Sequence, residues 1–212
     1  MFTGIVQHKI KIIHIVHQGV DKVFHLEPCC SMANCQIGES IAINGACLTL
    51  MDFNKMHLAF YTSKETLSLT NLSALTVGNF VHVEQALSLN DRLNGHFVTG
   101  HIDTQAVLTQ VNLIGLSKQL KFSIEKKYGE YLITKGSIAL DGVSLTINDC
   151  TSTSFTVNII PETLRRTTLS NWSLGYQPNV EIDTLSKHIY SYLHRKKNNV
   201  LDKTFLSGYG FE

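Results

Sequence analysis

SIAINGACLTL at residues 40–50 is written a second time as SIALDGVSLTI at residues 137–147. Six of the eleven positions are identical and most of the others are mild exchanges. The same offset of 97 residues pairs ETLSLTNL (65–72) with ETLRRTTL (162–169), identical at five of eight positions. It also pairs Gly78, Val83 and Glu84 with Gly175, Val180 and Glu181, while an offset of 96 pairs TGIV (3–6) with TGHI (99–102). Four blocks in one order at nearly one spacing make the chain a tandem duplication.

Each copy reads as β structure. Asn44-Gly45 and Asp141-Gly142 interrupt apolar runs, and both dipeptides tolerate the positive φ of a tight hairpin turn. FVHVE and FTVNI alternate as half-buried strands do, whereas ETLSLTNL and ETLRRTTL read as short helical turns. Short strands with closely spaced turns in about 90 residues favour a small antiparallel barrel, whose closure removes sticky edges. The expected organisation is a first barrel over residues 1–87, a connector SLNDRLNGH (88–96), a second barrel over 97–183, and a helix with tail over 184–212. In that last segment Leu185, Ile189 and Leu193 recur every four residues, with Thr184 or Ser186 as expected caps and the basic HRKKNN at the far end. Such a stripe must be buried, on its own barrel or against other subunits.

Composition narrows the function classes. Hydrophobic residues are 43% of the 212, ample for a core, and charged residues only 17%, below the roughly 25% usual in soluble domains. That shortfall hints at surface covered by a partner. A net charge of +1 with no long basic run argues against nucleic acid. No stretch reaches the ~18 apolar residues of a spanning helix, and MFTGIVQHKI has no signal-peptide pattern, so a cytoplasmic protein without a membrane role is expected. Five cysteines (Cys29, Cys30, Cys35, Cys47, Cys150) show no CxxC or zinc spacing, so no metal is expected and free thiols are.

Taken together, MFTGIV, SIAINGACLTL, GHFVTGHID, GSIALDGVSLTI and PETLRRTTL resemble the riboflavin synthase family across about residues 1–190. The resemblance implies an all-β fold of two tandem homologous six-stranded antiparallel β-barrels plus a C-terminal α-helix, and a homotrimer built around those helices. It implies a transferase that needs no metal or redox cofactor. Two molecules of 6,7-dimethyl-8-ribityllumazine would meet, one would pass a four-carbon unit to the other, and riboflavin and 5-amino-6-(D-ribitylamino)uracil would leave. The substrate ring itself stabilises the carbanion at its acidic 7-methyl group. The protein's task is then to hold two identical molecules together and to manage protons. Association with a lumazine synthase stays open.

Identical positions suit what both molecules require: Thr49 and Thr146, Gly4 and Gly100, Thr66 and Thr163 offer hydroxyls and backbone groups for a neutral ring and a polyhydroxyl chain. Glu65 and Glu162 either cap their helical turns or bind ribityl hydroxyls. Differing positions suit what only one molecule requires: Cys47 against Ser144, Ile5 against His101, Asn44 against Asp141, Ala86 against Asp183. From the family pattern Cys47 carries over as a nucleophile or proton relay, His101 as a proton-transfer group, and Ser40 as a neighbour of the same pocket. His96 has a supporting role, and Asp141 and Asp183 either orient His101 or bind the ribityl chain. The substrate-contact segments carry over as Gly4, Ile5, Val6, Cys47, Leu48, Thr49, Tyr61, Thr62, Ser63, Lys64, Glu65 and Thr66 for the first barrel. For the second they are Gly100, His101, Ile102, Lys135, Ser144, Leu145, Thr146, Ile160, Pro161, Glu162, Thr163, Leu164 and Arg165. Cys29, Cys30 and Cys35 receive no function.

Two other classes compete. A non-catalytic lumazine- or flavin-binding antenna protein shares the fold but has lost the SLT and PETL motifs of the second copy, which are intact here. A flavin oxidoreductase would need a Gly-rich nucleotide-binding fingerprint, which the sequence lacks.

Overall fold

The computed structural model describes residues 1–29 and 35–198. Cys30, the tail after Asn198 and the side chains of the basic cluster beyond His194 lie outside the described residues. The first copy contributes β1 (His8–Gln18), β2 (Asp21–Leu26), β3 (Ser40–Ile43), β4 (Ala46–Phe53), β5 (Leu58–Thr62), α1 (Lys64–Leu69) and β6 (Phe80–Gln85). The second contributes β7 (Thr104–Gln105), β8 (Val107–Ile114), β9 (Ser117–Ser123), α2 (Lys126–Gly129), β10 (Ser137–Leu140), β11 (Val143–Cys150), β12 (Ser154–Ile159), α3 (Pro161–Arg166) and β13 (Asn179–Ile182). The helix α4 (Thr184–Asn198) follows.

The first six strands close into an antiparallel barrel of order β1-β2-β5-β4-β3-β6. Closure works because β1 bends. Residues His8 to Lys11 pair with β6, and from Ile12 onward the strand pairs with β2 across a register shift between Ile12 and His14. The second copy keeps the expected six-strand plan with one strand split in two. It is a curled seven-stranded sheet of order β7-β13-β10-β11-β12-β9-β8. The reason is local: Ala106 breaks the counterpart of β1 into β7 and β8, so its two halves stand at opposite ends of the sheet order. The break is bridged. Ala106 N–H donates to the Pro178 carbonyl at 3.2 Å and Leu108 N–H to that of Tyr176 at 2.9 Å. The bulges match as well, between Leu108 and Gln110 as in β1, and between Ile147 and Asp149 as between Leu50 and Asp52. A bulge bends its strand, which a small barrel needs at its corners.

Each copy fills its own core. Ile12, Phe24, Leu26, Leu50 and Phe60 are buried in the first, and Phe122, Phe155, Val157 and Ile159 in the second. Each such side chain contributes roughly 1.5–3 kcal/mol on burial. Cys35 is core filling in the first, its Sγ accepting from Gln85 Nε2 at 3.1 Å.

The copies meet at the twin hairpins. Asn44 and Asp141 have φ of 46° and 44°, Gly45 and Gly142 of 79° and 77°, the succession of positive values that a tight hairpin turn demands. The two glycines stand back to back: a Cβ on Gly45 would come within 2.6 Å of the Gly142 nitrogen. Around them hydrogen bonds repeat under a pseudo-twofold. Asn179 Nδ2 donates to the Asn44 carbonyl at 2.9 Å while its Oδ1 accepts from Asn71 N–H at 2.7 Å. His82, its counterpart, reaches the Asp141 carbonyl with Nδ1 at 2.8 Å and accepts from Thr168 N–H with Nε2 at 2.8 Å. A carbonyl at one ring nitrogen and an N–H at the other fix a neutral imidazole protonated on Nδ1. Burial depresses its pKa to about 4.

The helix α4 starts on a cap other than the two expected. Asp183 Oδ1 accepts from Leu185 N–H at 2.9 Å and the Asp183 carbonyl from Lys187 N–H at 3.2 Å, while the buried Thr184 hydroxyl has no partner. One face of α4 lies on the second copy, through Tyr190 against Tyr131 and Lys187 on Asp103 at 3.0 Å. Leu185, Ile189 and Leu193 stay about half exposed or more, at 65%, 48% and 53%. No helix among the described residues is long and apolar enough to cross a membrane.

Candidate active site

The chain before β1 does not stay with its own barrel. Residues Phe2 and Val98 pair with each other in an antiparallel bridge between the two copies' leading segments, and each segment then runs on to the opposite copy. Ser144 N–H, on β11, donates to the Gly4 carbonyl at 2.7 Å. Cys47 N–H, on β4, donates to the Gly100 carbonyl at 2.9 Å. The resemblance groups Gly4, Ile5 and Val6 with the first barrel and Gly100, His101 and Ile102 with the second; the structure places each trio on the other one.

Two buried carboxylates hold these segments. Glu84 Oε1 accepts from the Thr3 N–H and hydroxyl, both at 2.7 Å, and Oε2 from Gly4 N–H at 3.1 Å. Glu181 repeats the clamp on Thr99, at 2.6 and 2.7 Å, and on Gly100 at 2.9 Å. Burial raises both pKa values, and the clamping hydrogen bonds oppose it. The two glutamates occupy equivalent positions of the repeat, 97 residues apart.

The crossing builds two pockets that correspond residue by residue. A cavity of about 240 Å³ is lined by Ala46, Cys47, Glu65, Thr66, Leu69, Thr70, Gly100, His101 and Ile102. A second of about 290 Å³ is lined by Val143, Ser144, Glu162, Thr163, Arg166, Thr167, Gly4, Ile5 and Val6. Every member of the first has its duplicate in the second, at offsets of 97 for the barrel residues and 96 for the leading segment. Glutamate, both threonines and glycine are kept. Chemistry changes at three places: Cys47 becomes Ser144, His101 becomes Ile5, and Leu69 becomes Arg166. Cys47 and His101, far apart in sequence, share one pocket.

The strand period explains which motif residues take part. Leu48 and Leu50 point into the first core, so Cys47 stands on the barrel's outer side. Thr49, exposed, follows two residues on with Ser40 opposite it in register; Thr146 has Ser137 in that place. Leu145 and Leu164 pack against the second core. Ser63 caps α1, accepting from Thr66 N–H at 3.3 Å, and Pro161 opens α3 with Ile160 as its N-cap residue. Tyr61 OH and Lys64 N–H both donate to Asp21 at 2.7 Å, and Thr62 is buried. Lys135, exposed at φ 69°, precedes β10.

Two of the aspartates lie elsewhere than beside His101. The Asp141 carboxylate is buried between the copies, accepting from Tyr176 OH at 2.6 Å, Asn179 N–H at 2.7 Å and Asn71 Nδ2 at 2.9 Å. Burial outweighs these donors and pushes its pKa up to about 7. Asp183 caps α4 and acts on His96: burial lowers the His96 pKa and the Asp183 charge raises it. His96 Nδ1 lies 2.7 Å from Ser144 Oγ, while its Nε2 is buried without a partner. Ser144 of the second pocket is thus backed by His96, while Cys47 and His101 share the first. An imidazole nitrogen within hydrogen-bond reach of a hydroxyl can exchange a proton with it.

Residues 3–86 and 99–183 each match the family model described as the lumazine binding domain. Riboflavin synthase of Escherichia coli (strain K12) is 38% identical over 197 residues, 92% of either chain. The chain belongs to the riboflavin synthase family. Riboflavin synthase of Bacillus subtilis (strain 168) is 34% identical over 215 residues covering all of both chains, and that of Schizosaccharomyces pombe 35% over 191 residues, 89% of this chain. In fold, the chain is similar to crystal structures of LumP complexed with 6,7-dimethyl-8-(1'-D-ribityl) lumazine (TM-score 0.77) and with riboflavin (0.79), each at 22% identity over 86% of this chain and 99% of that one. Leu69, Thr70, Arg166 and Thr167 line the pockets although the motif carry-over stops short of them. The signal for them was present, since the paired helical turns run through all four. Among the described residues no three His, Cys, Asp or Glu side chains form a metal-binding group.

Proposed function

We propose that this protein is a riboflavin synthase that combines two molecules of 6,7-dimethyl-8-ribityllumazine into riboflavin and 5-amino-6-(D-ribitylamino)uracil. One observation carries the reading: two pockets of similar volume, corresponding at all nine lining positions, that differ at chemically active side chains. A reaction between two copies of one compound in unequal roles calls for that design. The shared Glu, Thr and Gly positions hold what the molecules have in common. In the first pocket Cys47 attacks the electrophilic ring or relays a proton, with His101 as the acid and base beside it. In the second, Ser144 with His96 behind it moves the proton. Ser40, Thr49, Thr146, Lys135 and the remaining segment residues complete the binding surface, and the ring's own electron sink makes a cofactor unnecessary.

Both pockets lie on the outer faces of their barrels, so a first pocket can be apposed to a second one of a neighbouring subunit. The half-exposed Leu185, Ile189 and Leu193 stripe suits a cytoplasmic homotrimer joined through α4. Purified protein given only the dimethylribityllumazine in buffer is expected to develop riboflavin absorbance and fluorescence. Tight binding with no product would replace the synthase by an antenna-type binder.

A further inference from the structure

The third exchange between the pockets, Leu69 for Arg166, changes their charge. At the second pocket Glu162 takes a two-pronged bond from Arg165, Nη2 to Oε1 at 2.7 Å and Nε to Oε2 at 3.0 Å, and also binds Nε of Arg166. One carboxylate against two guanidiniums leaves one positive charge in excess on α3, and Arg166 carries it into the pocket lining. The first pocket lacks this surplus, because α1 carries one lysine, Lys64, against one carboxylate, Glu65. Ser68 and Leu69 stand where Arg165 and Arg166 do, and Glu65 has no ion-pair partner among the described residues. Arg166 is well exposed, with 64% of its side chain accessible, so in the open pocket water screens its charge. A flat ring laid over it expels that water and strengthens the interaction.

We propose that the second pocket holds its ligand as the anion, and that Arg166 is the residue that selects this form. The anion arises when the 7-methyl C–H gives its proton, by way of Ser144 and His96, to the buffer and its electron pair spreads over the ring. The first pocket, without that surplus of positive charge, holds the neutral molecule. This assignment rests on the synthase reading for the ligand's identity, and on the paired pockets for which molecule is charged.

Rapid mixing with 6,7-dimethyl-8-ribityllumazine, recording its absorbance spectrum across pH before product forms, tests it. In the unaltered protein part of the bound ligand is expected to ionise at least about one pH unit below the free compound, the usual effect of an adjacent opposite charge. Arg166→Leu, which copies the first pocket, should abolish that shift and lower turnover about tenfold. Affinity for neutral riboflavin should stay within about twofold, which also shows that the variant is folded. Arg166→Lys should keep most of the shift, and Leu69→Arg should create a second ionising population. The proposal is overturned if Arg166→Leu leaves the ionisation midpoint in place, or if riboflavin affinity falls as much as turnover does. Protein that makes no riboflavin yet shows the Arg166-dependent anion would uphold this inference and sink the synthase reading.

Discussion

Cys47 and Gly100 belong to different copies of the repeat, yet the N–H of one donates to the carbonyl of the other at 2.9 Å. A Cβ on Gly100 would stand 2.5 Å from the Cys47 Cβ, and φ there is 84°. The closeness of this contact decides where His101, the next residue, enters the pocket.

Gly100→Ala therefore meets both a clash and a left-handed backbone, which together cost on the order of 1–3 kcal/mol. Its melting temperature should fall by several degrees and riboflavin formation should fall with it. Gly4→Ala, whose Cβ would lie 2.6 Å from that of Ser144, should do the same to the second pocket. Unchanged melting and turnover in either variant would mean that the leading segments cross less tightly than described.

His101→Ala removes the imidazole from the Cys47 pocket. Loss of a proton-transfer group costs about 10²–10⁴ in rate, so the catalytic constant should fall at least a hundredfold while riboflavin affinity changes little. Equal losses in steady-state rate and in fluorescence-measured affinity would reduce His101 to a binding contact.

Ser144→Ala leaves Nδ1 of the buried His96 without its partner, and Nε2 has none already. An unsatisfied buried polar group costs about 1–3 kcal/mol. Chemical denaturation should show that loss together with a reduced turnover. A Ser144→Ala protein as stable and as active as the parent would remove the Ser144–His96 pair from the mechanism.

His82 gives a pH prediction of definite sign. Its pKa is 6.5 when free and about 4 in the fold, so the unfolded chain takes up this proton first. The stability that the neutral ring contributes is complete above pH 6.5 and is lost as pH falls towards 4, by roughly 3 kcal/mol in all. His82→Asn supplies the side chain that Asn179 uses in the equivalent place. Its melting temperature should depend less on pH between 6.5 and 4. Asp141, raised to about 7 from 3.8, works the other way, stabilising at low pH and ceasing to do so as pH climbs to 7. It is present in both proteins, so their difference reports His82 alone. Parallel melting curves would contradict the buried neutral ring.

The duplication, the Asn44-Gly45 and Asp141-Gly142 hairpins and the helical turns were legible because each rests on short-range pattern: a repeat, a positive-φ dipeptide, a change of period. Cys47 and His101 were legible as positions where the copies disagree. What the sequence hid was long-range. Nothing local to Gly4 says that it ends beside Ser144, because the crossing depends on Glu84, eighty residues away in sequence. Asp141 looks chemical as an aspartate opposite an asparagine, but Tyr176, Asn179 and, from the other copy, Asn71 claim both its oxygens. The break at Ala106 carries no glycine or proline to announce it, and Asp183 could not be told from a pocket residue until its carboxylate was seen capping α4.

In the proposed reaction two like molecules meet across unlike pockets. Its most direct test is the ratio of dimethylribityllumazine consumed to riboflavin formed, followed by absorbance until the substrate is exhausted in plain buffer. Two molecules lost for each riboflavin gained is the predicted result. One lost per riboflavin, or a requirement for any second reactant, would contradict it.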